Sequence, residues 1–224
     1  MKRGKGRTLS RKSSLRQKWI CFLENLKMNK TLGILIISDI FILGGFGLIT
    51  PILAIFIEGG LADGTVFAAG AASMIWFFTY SILQIVFSYK FNPKDRLWML
   101  RLGTIIIALV PFGYMFMTSV NHLYIIEFLY GIGAAFAYPS WSSLFTAHLE
   151  KGARGFQYSL HSSGVGFAAA ITAGVGGWIA DNLSFSFGLI NLTGFQIVFL
   201  LTGIVSVAGL LFLFNIEKKA LKRT

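Results

Sequence analysis

Of 224 residues, 55% are hydrophobic and only 13% charged, and the mean hydropathy is +0.70, whereas a soluble domain carries about 25% charged residues. Surface-to-volume scaling leaves much of a chain this size exposed, so a soluble core cannot hide apolar stretches along nearly its whole length. The formal net charge of +11 does not make it a nucleic-acid binder, because the basic residues gather at the two ends and in two short loops, where membrane topology accounts for them.

Residues 1–30 form a basic tail with ten Lys and Arg residues. It lacks the short apolar region and small-residue site of a cleavable signal peptide. Trp19, Phe22, Leu23 and Leu26 share one helical face, which suits either a helix lying in the membrane interface or a solvated tail that only sets orientation. Cys21 is the sole cysteine, so no intrachain disulfide can form.

A membrane-crossing helix needs about 20 apolar residues for a core about 30 Å thick. The first such run is residues 32–57, with Asp39 as its only charge before the outer end, and the second is residues 65–89, with none. From residue 102 to 149 the one ionised residue is Glu127; a single helix of that length would be about 72 Å long and must turn back once. The polar stretch at residues 119–122 is the place, giving spans at 97–119 and 123–149. Residues 157–180 and 195–216 supply the fifth and sixth spans, joined by a more polar loop, and 217–224 are a second basic tail.

Charge placement tests that count. Ten Lys and Arg residues precede span 1, four lie at the connection of spans 2 and 3 (Arg101 in the first turns of span 3), two between spans 4 and 5, and four follow span 6. The other connections carry only Glu58, Asp63 and Asp181. Six spans put every basic residue on one face, so an all-α integral membrane protein is expected, multi-pass in the plasma membrane, with both termini cytoplasmic.

Span 1 contains Gly45, Gly47 and Pro51. Glycines let helices approach closely in lipid, and a proline breaks one backbone hydrogen bond. This segment resembles the first helix of drug/proton antiporters in the major facilitator superfamily. Gly131, Gly133 and Pro139 resemble its fourth helix, Gly166, Gly174, Gly176 and Gly177 its fifth, and Gln196 to Gly203 the start of its sixth. The resemblance covers residues 32–216, a 31–216 half-domain of six helices, and implies two three-helix inverted repeats. The charged loop between spans 2 and 3 holds Lys94, Asp95 and Arg96, but Asn92 stands where the family has Asp. Thr172 and Ala173 replace the fifth-helix Gly-Pro of the antiporters, and Glu127 falls near a position where Arg is common.

The resemblance implies a secondary active transporter without cofactor or catalytic chemistry, exporting a small organic solute or drug by proton-coupled alternating access. Its expected partners are the lipid bilayer, the solute, protons and a second six-helix half, from a homodimer or a separate carboxyl-terminal half. A non-transporting bundle with an assembly or regulatory role is the competing expectation.

Ionisable residues at membrane depth are functional candidates, since each costs at least about 2.5–3.5 kcal/mol to place there. Asp39 and Glu127 are the clear cases, separated by about 15–20 Å of depth; each needs its own partner or proton. The alternatives are an Asp39 that accepts hydrogen bonds from a neighbouring helix and a Glu127 that is interfacial and solvated. His161 has the titration range of a proton relay, although one turn from the cytoplasmic end it is more simply hydrated. Gln84 and Tyr80, one turn apart, either line a cavity or bond a neighbouring helix. Trp76, Phe77 and Phe78 read as lipid-facing bulk, although a multidrug site would also use aromatic residues. No metal-ligand spacing is present.

Overall fold

A computed structural model describes residues 28–91, 96–187 and 190–216. Most of the amino-terminal tail, with its suggested interfacial helix, Lys94 and Asp95 of the charged loop, and the tail at 217–224 lie outside the described residues. Within them the order is α1 (Lys30–Phe46), α2 (Leu53–Gly60), α3 (Val66–Lys90), α4 (Arg96–Met115), α5 (Val120–His148), α6 (Arg154–Asn182), a two-stranded hairpin of β1 (Phe185–Phe187) and β2 (Ile190–Leu192), and α7 (Gly194–Phe214). Helices α3 to α7, five in all, are long and apolar enough to cross a membrane.

Helices α3, α5 and α7 start after hydroxyl side chains that accept the backbone N–H groups a first turn leaves unpaired. Thr65 accepts from the amide of Ala68 at 3.0 Å before α3. Ser119 takes the corresponding place before α5, so the turn expected at 119–122 lies slightly earlier. Thr193 and Gln196 form a reciprocal capping box at α7. The hairpin was not expected in the polar loop; Phe185 stands opposite Leu192, and the Ser186 hydroxyl bonds Asn191.

The first expected span is not one regular helix. Its 17-residue portion α1 ends at Phe46, and the eight-residue α2 resumes at Leu53. Pro51 has no N–H for the carbonyl of Gly47, and the intervening chain tightens into turns: Leu48 N–H donates to Gly45 at 3.0 Å and Ile52 N–H to Ile49 at 3.0 Å. Thr50 adds a side-chain hydrogen bond to the carbonyl of Phe46 at 2.9 Å. The backbone stays satisfied while the direction changes, as lipid requires.

Packing runs α3–α5–α4–α7–α1–α6, which leaves α3 and α6 at the margins. Their flanks carry exposed Phe67, Phe78 and Ile85 on α3 and Phe167, Ile171 and Trp178 on α6. One buried cluster joins Ile49, Ile57, Tyr114, Leu123 and Phe199; a second, nearer the basic end, joins Leu35, Leu100, Ile107 and Leu213. There the Arg101 guanidinium, from α4, donates to the carbonyls of Phe214, the last residue of α7, at 3.2 Å and of Ile216, just beyond it, at 2.9 Å, and lies 5.1 Å from the ring centre of Phe214. A cation at a helix carboxyl end meets the unpaired carbonyls and the negative end of the helix dipole.

Small residues set the closest approaches. A Cβ on Gly103 would stand 2.5 Å from both the amide of Ala137 and the carbonyl of Gly133. Gly103→Leu is therefore expected to force α4 from α5 and cost about 1–3 kcal/mol by overpacking; a lowered unfolding midpoint of the purified protein in detergent checks it, and an unchanged midpoint contradicts this packing.

Candidate functional site

The two acids expected at membrane depth do not meet each other, and each has a separate partner. Asp39, on α1, lies with its Oδ2 2.6 Å from Nε2 of His161 on α6. Their side chains are only 14% and 12% exposed, so His161 is not the hydrated residue its position in the chain suggested. It packs against the Trp141 ring at 4.6 Å and the Phe145 ring at 5.3 Å between centroids, and its Nδ1 is buried without a hydrogen-bond partner among the described residues.

Glycines bring this pair together. A Cβ on Gly44 would stand 2.6 Å from Cβ of Ala168, and one on Gly164 would stand 2.6 Å from Ile40. The contacts advance along both chains in the same direction, so α1 and α6 run parallel. Thr172, on α6, donates its hydroxyl to the carbonyl of Gly44 at 2.6 Å. On the other side of α1, Ser38 donates to the carbonyl of Gly209 on α7 at 2.7 Å. Asp39 is thus carried on a helix held from two sides.

Glu127 is 5% exposed, not interfacial. The Tyr114 hydroxyl, from α4, donates to its Oε1 at 2.5 Å, and no Lys, Arg or His among the described residues is paired with it. The arrangement suits a carboxyl group that exchanges a proton or meets a cation, because a neutral donor offsets only part of a buried negative charge.

A set of rings links α1, α3 and α5. Phe46 of α1 stacks on Tyr130 of α5 at 5.2 Å; Tyr130 meets Trp76 of α3 at 5.3 Å; Trp76 stacks on Tyr80 at 5.8 Å; Tyr80 meets Tyr138 of α5 edge-on at 5.5 Å. Trp76 thus turns inward, while Phe77 and Phe78 are exposed, as expected of bulk facing lipid. The close approach of α3 and α5 rests on Gly131, where a Cβ would stand 2.7 Å from Thr79 and 3.0 Å from the carbonyl of Trp76.

The remaining sequence candidates are dispersed. Gln84 is half-buried and forms no side-chain hydrogen bond found among the described residues. Gly45 faces Val205, Gly47 faces Ala169 and Thr172, Gly133 faces Ile106 and Gly176 faces Leu48, whereas nothing lies within 4 Å of a Cβ on Gly166, Gly174 or Gly177. Packing explains the first four and not the last three. Arg96 and Pro139 line a cavity of about 200 Å³ with Phe87, Ser88, Phe91, Met99 and Ser140. No group of three His, Cys, Asp or Glu residues suited to a metal is present among the described residues.

Sequence reasoning missed Tyr114, Tyr130 and Tyr138. Tyr130 and Tyr138 are eight residues apart, two turns along one face of α5, and that spacing with Tyr80 on span 2 is the signal that was available. For Tyr114 there was none, since its pairing with Glu127 is set by how α4 meets α5.

Residues 35–224 match the family model described as Major Facilitator Superfamily. A search of the curated proteins gives no match.

A double-mutant cycle checks the Glu127 contact. Tyr114→Phe leaves a buried carboxylate oxygen without its donor and is expected to destabilise by about 1–3 kcal/mol; in the Glu127→Gln background the loss should shrink, giving a coupling of about 1 kcal/mol in thermal unfolding. Simple additivity contradicts the contact.

Proposed function

The chain belongs to the major facilitator superfamily, whose members are transporters, and on that premise we propose that it exports a small organic solute or drug in exchange for protons. In this reading α1 and α2 form one kinked span, making six with α3 to α7. Both ends face the cytoplasm, as the basic residues support, and the membrane is the plasma membrane. The two inverted three-helix repeats are read as α1 to α4 and α5 to α7. The bundle rocks against a second six-helix bundle, from another copy or another half, around a site near the membrane midplane. The exposed apolar flanks of α3 and α6 favour such a neighbour or lipid.

The observation that carries the proton reading is the Asp39–His161 pair. An acid and an imidazole 2.6 Å apart, on two different helices and largely withdrawn from water, form a unit that holds a proton while the helices are together. It releases the proton when they part or when water enters. An ion pair of this kind is strongly coupled to any motion that separates α1 from α6, since a buried charge without its partner is costly. Glu127 is a second proton-accepting group, served by Tyr114.

The test is transport by the full chain in proteoliposomes, with and without a pH gradient, using radiolabelled organic solutes of neutral, anionic and cationic charge. Asp39→Asn is expected to reduce gradient-driven accumulation by at least about tenfold, the effect of losing about 1.4 kcal/mol of coupling, while solute exchange without a gradient persists. Full gradient-driven accumulation by that variant removes Asp39 from the coupling. No flux of any solute from a verified assembly favours the non-transporting reading.

A further inference from the structure

We propose that the cavity where α3 ends, α4 begins and α5 passes beneath them is a binding site for the phosphate group of an anionic phospholipid. Which leaflet supplies that lipid rests on the orientation proposed above; the binding itself does not, and neither depends on transport.

The cavity exists because two helices diverge over a third. Among the described residues, α3 and α4 each pack along α5 but hardly touch each other. Near the last turn of α3 and the first turn of α4 this leaves a space of about 200 Å³, far more than the about 10–15 Å³ one water needs. Phe87, Phe91, Met99 and Pro139 give it apolar walls, and its polar side chains are Arg96, Ser88 and Ser140. No Asp or Glu lines it.

The polar side chains are not used up by the protein. Ser140 is 2% exposed and forms no side-chain hydrogen bond among the described residues. A hydroxyl inside a helix can return to the carbonyl one turn back, as Ser73 does to Ala69 at 3.2 Å and Thr146 to Ser142 at 2.8 Å. Ser140 does not, and a buried hydroxyl without a partner is uncommon. Arg96 is in no ion pair with a described carboxylate. It is also the first residue of α4, whose unpaired first-turn N–H groups add positive partial charge at the same place. A guanidinium, buried and exposed hydroxyls and a helix amino end together select an oxyanion, and guanidinium groups bind phosphate in a two-pronged fashion.

Depth and lining decide between a lipid and a free anion. Exposed Tyr89 closes α3, and exposed Trp98 stands in the first turn of α4, its ring 6.2 Å from that of Phe91; such amphipathic rings gather at headgroup level. Basic pockets between membrane helices at that level suit anionic headgroups. A free phosphate would leave the apolar walls bare, whereas a phospholipid sets its glycerol and first methylenes against Phe87, Phe91 and Met99. A zwitterionic lipid would bring an ammonium group toward Arg96.

The full chain in uncharged detergent micelles is titrated with phosphatidylglycerol or phosphatidylethanolamine bearing the same fluorescent acyl chain. Saturable binding of phosphatidylglycerol is expected, tighter than phosphatidylethanolamine by about tenfold. Arg96→Gln should weaken it by about tenfold and Ser140→Ala by about fivefold, while Lys90→Gln, which removes a nearby cation that does not line the cavity, should cost less than about threefold. Equal losses in Arg96→Gln and Lys90→Gln, or unchanged binding in Ser140→Ala, mean diffuse attraction to a basic surface and overturn the proposal; the near-isosteric alanine variant decides the matter if Arg96→Gln does not fold. Equal affinity for the two lipids overturns it as well. Displacement of the lipid by a comparable concentration of inorganic phosphate makes the ligand a soluble anion and overturns the lipid assignment. Binding with the expected pattern but without flux of any solute supports the site and counts only against the exporter.

Discussion

In hydrocarbon, a backbone group without a partner costs several kcal/mol, and α1 must satisfy that constraint while changing direction. It does so by closing into tight turns after Phe46 and by accepting the Thr172 hydroxyl at the carbonyl of Gly44. The same glycine-rich stretch that permits the bend removes the side chains that would hold α6 and α7 away. The meeting of Asp39 and His161 depends on this: with ordinary side chains at residues 44 and 164, the two helices would stand apart and the acid would lie alone in an apolar medium.

The polar chemistry of the bundle is accordingly local. One acid is joined to an imidazole across α1 and α6, and the other to a phenol across α4 and α5. The rings of Phe46, Trp76 and Tyr130 join α1, which carries Asp39, to α5, which carries Glu127. Exchange of solute for protons needs only that occupancy by one disfavours the other, a coupling free energy between neighbouring sites.

Membrane class, the five long apolar helices and the family were legible in the sequence because each rests on chemistry spread over many residues: charge-free runs of helix length and glycines at repeating positions. The isolation of Asp39 and Glu127 within apolar runs was legible for the same reason. Their partners were not. Position along the chain put His161 near a helix end, where water was the simplest neighbour, but the lateral approach of α1 and α6 decides its surroundings. Trp76 shows the same gap in reverse. An aromatic residue beside two lipid-facing phenylalanines reads as lipid-facing, and only the rotation of α3 on the small Gly131 turns its ring inward. Pro51 was visible as a break in bonding, but the division of the first span into 17- and eight-residue helices depends on how the freed groups find new partners.

The guanidinium of Arg101 has a mechanical meaning. It grips carbonyls at and just beyond the end of α7 while anchored on α4, and these two helices also share an extended contact. Sliding one past the other would break the guanidinium's bonds to several carbonyl oxygens at once. In any rocking of the bundle, α4 and α7 therefore act as a single strut, α1 moves with the α6 and α7 residues bonded to it, and bending is left to the turns between α1 and α2.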